Sequence, residues 1–111
     1  MLRRYFPFML CGVLFSLFSC GKSDLPLSIR EEALIPILAD VHLAEAALQN
    51  TYGAVKDSLS GLYYEQIFTI HGVSQADFEQ TMSILREDPL RMERIYGRVL
   101  ELLTEEEAKL Q

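Results

Sequence analysis

An all-α fold, a small bundle of three or four helices, is what this 111-residue sequence predicts. Three observations carry that expectation. Apolar residues beyond the N-terminal segment recur at three- and four-residue intervals, with no sustained apolar–polar alternation. β-Branched residues are sparse in these stretches. Helix-starting and helix-stopping residues then divide the chain into four segments with very short turns, so neighbouring helices must fold back on one another. A chain of this length holds one small domain and leaves no room for a cleft between two.

The first helix starts, on this reading, with Ser28 and Glu31 as a capping box and runs to about Asn50, with Gly53 beyond it. Pro36 cannot donate to the carbonyl of Glu32, so a kink or a short first turn is expected there. Its main apolar arc is Leu34, Ile37, Leu38, Val41 and Leu48. A second helix runs from about Ser58 to His71, stopped by Gly72, a residue suited to the left-handed position after a helix. Its packing face is read as Leu59, Leu62, Tyr63 and Ile70. Ser74, with Asp77 three residues on, caps a third helix that lasts to about Arg86. Asp88-Pro89 opens the fourth, aspartate as cap and proline at the first helical position, and it extends to about Ala108.

Ahead of the helices the sequence reads as an address. Met1-Leu2-Arg3-Arg4 precedes a fourteen-residue apolar run, Tyr5 to Phe18, shorter than the roughly twenty residues a spanning helix needs. A basic start and a short apolar run form the pattern of a secretory signal. Its end, Leu17-Phe18-Ser19-Cys20, resembles a bacterial lipobox, in which the cysteine thiol takes up a diacylglycerol and the chain is cut before it. The expected organisation is therefore a signal peptide at 1–19, a lipidated tether at 20–27 and a helical domain at 28–111. Cys11 would leave with the signal, and acylation, including palmitate, would occupy Cys20.

Net charge is −6, with ten bases against sixteen acids. Removing Arg3 and Arg4 leaves eight bases against sixteen acids, or −8. Such a balance argues against nucleic acid as a partner. It also repels an anionic membrane surface, so attachment falls to the lipid. Both cysteines lie within the first twenty residues, which rules out a disulfide framework or a four-thiolate zinc site.

The segment Leu38-Ala39-Asp40-Val41-His42-Leu43-Ala44-Glu45-Ala46 resembles a domain-of-unknown-function family of small lipoproteins from Bacteroidota, which carry an L-x-D-x-H-x-A-E-A motif soon after a lipobox. The aromatic pair Tyr63-Tyr64, the turn His71 to Ser74 leading to Phe78, and the Asp88-Pro89 start followed by Ile95-Tyr96 are similar to that family as well. The resemblance covers about residues 30 to 103, without the long polar tail of many relatives. It implies a helical fold and an envelope location, and no activity. A fainter similarity, from Tyr63 to Leu100, is to the N-terminal helical segments of periplasmic peptidyl-prolyl isomerase chaperones.

Reactive constellations are thin. Asp40 and His42 lie about 200° apart around a helix and cannot share an ion. His42 and Glu45 can, but no H-x-x-x-H or H-E-x-x-H spacing completes a site, and no metal or other cofactor is expected. His71 is read as meeting carbonyls at a helix C-terminus. There is no G-x-S-x-G and no glycine-rich phosphate loop. Glu31-Glu32 and Glu105-Glu106-Glu107 read as solvated helix ends. Arg91, Arg94 and Arg98 form a stripe whose expected partners are Glu87, four residues before Arg91, and Glu101, three after Arg98.

Glu45 falls inside the apolar arc of the first helix, so a buried polar contact is expected for it, with His42, a tyrosine hydroxyl such as that of Tyr96, or an arginine. Ile35, Ala39, Leu43, Ala46 and Ala47 on the first helix, with Tyr64, Phe68 and His71 on the second, are extra apolar surface. They form a candidate partner surface unless the four helices cover them. The functional expectation is a non-enzymatic lipoprotein of the cell envelope, at the periplasmic side of the outer membrane, that binds another envelope protein or itself. The alternative is a chaperone-like module binding extended or unfolded polypeptide.

Overall fold

A computed structural model describes residues 25–111. The signal peptide, the lipobox with Cys20 and the first part of the tether lie outside the described residues. Four helices follow in order: α1 Glu31–Ala47, α2 Gly53–His71, α3 Gln75–Arg86 and α4 Pro89–Lys109. The all-α small bundle predicted from the sequence is what forms, and no strand occurs among the described residues.

The start of α1 differs from the expected capping box. Arg30 is the N-cap and contributes no side-chain bond, while its carbonyl accepts from Ala33 N and Leu34 N at 3.0 and 2.9 Å. The Ser28 hydroxyl donates across the bundle to Gln80 instead. Ile29 N donates to Thr81 Oγ1 at 3.1 Å, so the entry to α1 is stitched to α3. The helix passes through Pro36 and stops at Ala47, short of Asn50, as Leu48 turns inward and is buried.

Gly53 is no stop for α1. It opens α2 with φ +67, a left-handed conformation that lets the chain reverse after the extended Tyr52. Nothing in Ala54-Val55-Lys56-Asp57 breaks a helix, so α2 begins five residues earlier than Ser58. Its end is as expected. Gly72 sits at φ 64, and Val73 N and Gly72 N donate to Phe68 O and Thr69 O at 3.0 and 3.3 Å, a Schellman closure. The two later caps also form as read: Asp77 N donates to Ser74 Oγ at 3.1 Å and Arg91 N to Asp88 Oδ1 at 3.2 Å.

Helix α1 is the centre of the bundle, packed against α4 on one side and α2 on another, while α3 packs on α4. Leu34, Ile37 and Leu38 of α1 meet Ile67 of α2, Leu85 of α3, and Ile95 and Val99 of α4. That central position corrects part of the candidate partner surface. Ile35 and Ala39 are buried core residues. On α2 the expected packing face holds only in part, with Leu59 and Tyr63 half-buried. Leu62 and Ile70 are exposed, while Ile67 is buried and Tyr64 and Phe68 pack against the core. This orientation brings the larger aromatic area inward, onto Phe78 of α3, with ring centroids 6.5 Å from Tyr64 and 5.0 Å from Phe68.

Candidate functional site

Three polar contacts join helices that the sequence reading treated separately. His71, the last residue of α2, places Nε2 2.6 Å from Asp40 Oδ2 on α1, a charge-assisted hydrogen bond in which the imidazole N–H donates. His71 thus meets a carboxylate rather than helix-end carbonyls. Glu31 is not a free solvated acid: Arg91 Nε and Arg94 Nη2 of α4 donate to its Oε1 at 2.9 and 3.1 Å. The expected pairing of the arginine stripe within its own helix gives way to this pairing across helices. Arg91 is buried and also donates from Nη1 to the carbonyl of Leu25 at 2.7 Å. The bond from Arg91 is the main cause holding the Glu31 carboxyl below its ordinary range.

Glu45 accepts from the Tyr64 hydroxyl at 3.0 Å. The polar contact exists, but Glu45 is exposed, so its expected burial is corrected, and the tyrosine is Tyr64 instead of Tyr96. His42 is exposed too, and no hydrogen bond joins it to Glu45 among the described residues. Burial, then the bond to Glu45, pushes the Tyr64 phenol up to about 12, and burial followed by the Glu45 charge raises that of Tyr96. Both phenols stay protonated at neutral pH, and that of Tyr64 donates to Glu45.

Two concavities lie on either side of the Tyr64–Phe78 pair. The larger, about 780 Å³, is a groove between α2 and α3. Tyr64, Phe68 and Phe78 wall it, Gly61 and Gly72 open it, and Glu65 and Glu79 stand on it. The smaller, about 230 Å³, takes residues from all four helices: His42 and Glu45 from α1, Tyr64 from α2, Phe78 and Arg86 from α3, and Tyr96 from α4. Of the candidate partner residues, Leu43, Ala46 and Ala47 are exposed on α1, apart from both. Arg86 was missed from the sequence, since nothing in its spacing links the end of α3 to the middle of α1. Among the described residues no three His, Cys, Asp or Glu side chains gather as metal ligands do.

A family model described as Domain of unknown function (DUF4296) matches residues 27–109. The chain belongs to this family. No curated protein and no solved structure matches it. The matched DUF4296 stretch takes in all four helices and every contact described above except the bond to Leu25. Within it, Glu45, Tyr64, Phe78 and Tyr96, which are distant in sequence, come together around one cavity. This DUF4296 domain thus carries two recesses that share the Tyr64–Phe78 wall.

Proposed function

We propose that this protein is a non-enzymatic lipoprotein of the cell envelope, acylated at Cys20 and held at the periplasmic side of the outer membrane, whose helical domain binds a segment of another envelope protein. The lipobox-like Leu17 to Cys20, the basic leader and the resemblance to Bacteroidota lipoproteins with the L-x-D-x-H-x-A-E-A segment support the location. The α2–α3 groove carries the binding reading. Its aromatic wall gives large, rigid contact area, and its size suits a few side chains of a docked segment. Glu65 and Glu79 favour a segment that is apolar with basic flanks.

A photo-crosslinking residue at Gly61 tests this directly, since a side chain added there meets nothing within 4 Å. Gly97 on α4 is equally open and does not line the groove, and so serves as the control. One discrete adduct from Gly61 and none from Gly97, in intact envelopes, is the expected result. A smear of many unfolded chains at Gly61 would favour the chaperone-like alternative. Absence of any adduct specific to Gly61 would overturn groove binding. Mass spectrometry of the membrane fraction checks the anchor separately: the mature chain should begin at an acylated Cys20.

A further inference from the structure

The four-helix cavity has a composition that the groove lacks. Glu45 carries a negative charge at it and Arg86 a positive one, yet the two form no ion pair within 4 Å among the described residues. Both side chains are solvent-exposed at the rim, so each charge is open to a ligand in the space between them. One oxygen of Glu45 takes the Tyr64 hydroxyl, which fixes the carboxylate and leaves the other oxygen to accept. Tyr64, Phe78 and Tyr96 rings stand beside it, the surroundings that attract an organic ammonium through the ring quadrupole. Leu38, Val41 and Met82 complete an apolar wall. At about 230 Å³ the space falls below the range of roughly 300–1,000 Å³ typical of drug-sized ligands.

We infer that this cavity binds a small free amino acid, with the ammonium against Glu45 and the aromatic rings, the carboxylate on Arg86, and an apolar side chain against Leu38, Val41 and Met82. Both charges of such a ligand find a partner of opposite sign, and neither half of it would satisfy the site alone. An amine leaves Arg86 unanswered, and a carboxylic acid leaves Glu45 so. The cavity shares its Tyr64–Phe78 wall with the groove, but this binding requires neither a docked segment nor the anchor.

The test is calorimetry on the full-length protein in detergent, with L-leucine and L-methionine as probes, beside 3-methylbutylamine, 4-methylpentanoate and O-phosphoethanolamine. The amino acids are expected to bind at least about tenfold more tightly than the amine or the acid, because one tenfold step is only about 1.4 kcal/mol. Arg86→Gln, a change at an exposed residue, should bring the amino acid down to the level of the amine and leave the amine unaffected. Glu45→Gln should do the converse, bringing it to the level of the acid. Aromatic proton shifts of Tyr64, Phe78 and Tyr96 on adding L-leucine would place the ligand. Three results would each overturn the inference: no binding of either amino acid up to ~10 mM, equal binding of the amine, or preference for O-phosphoethanolamine, which would assign the site to a lipid headgroup.

Discussion

Arg91 shows how far a single side chain governs this fold. It is buried, bonded to Glu31 and to the Leu25 carbonyl, and shares Glu31 with Arg94. Arg91→Ala leaves a carboxylate and a carbonyl short of a donor, so a loss of about 2–4 kcal/mol is expected in denaturant unfolding. Glu31 sets an acid dependence. Its carboxyl ionises below the usual 4.5 when folded, so its contribution is complete above that value and disappears as pH falls through the folded pKa. The Tm gap between wild type and Glu31→Gln should therefore narrow on acidification and close at the lowest pH. A gap that widened would refute the pairing. The sequence did not reveal this contact, because Glu31 and Arg91 lie 60 residues apart and Glu87 offered a nearer partner by spacing alone.

Among the elements, α1 and α2 separate what apolar pattern can and cannot tell. Helix α1 is apolar on more than one side because it touches two neighbours, and Ile35 is 7% exposed where Leu43 is 56% exposed. Leu43→Asp is thus expected to stay folded and within about 0.5 kcal/mol of wild type, while Ile35→Asp unfolds the domain. Circular dichroism melts of the pair decide it. The end of α2 rests on Gly72 at φ 64, and with nothing near its Cβ position the effect of Gly72→Ala is purely one of backbone. A loss of about 1 kcal/mol is expected. Starts and stops such as Ser74, Asp88-Pro89 and Gly72 were legible because capping is local chemistry. The orientation of α2 was not, since Leu62 with Ile70 and Tyr64 with Phe68 are both apolar by spacing, and the partner of the second, Phe78, lies on the next helix.

For the molecule as a whole, the bundle was readable from spacing and caps, while its two recesses were not. The larger lies between α2 and α3 and the smaller where residues of four helices meet, and one-dimensional pattern carries no register between helices. His42 and Glu45 share the smaller cavity, but their neighbours Arg86 and Tyr64 come from other helices. The arrangement also ranks local stability. α1 is covered on both sides, whereas residues 52–58 at the start of α2 are exposed. Amide hydrogen exchange should be slowest at Leu34 to Val41 and fastest, within the helices, at the first turns of α2.

The bond from Arg91 to the Leu25 carbonyl is also a mooring. With Cys20 acylated as proposed, the step from Cys20 to Leu25 can span at most ~18 Å at about 3.3–3.6 Å per residue. The starts of α1 and α4 are then berthed close to the bilayer, and the far end of α4 stands off by up to ~30 Å at about 1.5 Å per residue. Were Arg91 to let go, the next hydrogen-bonded point along the chain is Ser28 on Gln80, and that span would gain three residues, or about 10 Å. One guanidinium thereby sets how far from the membrane the domain can swing.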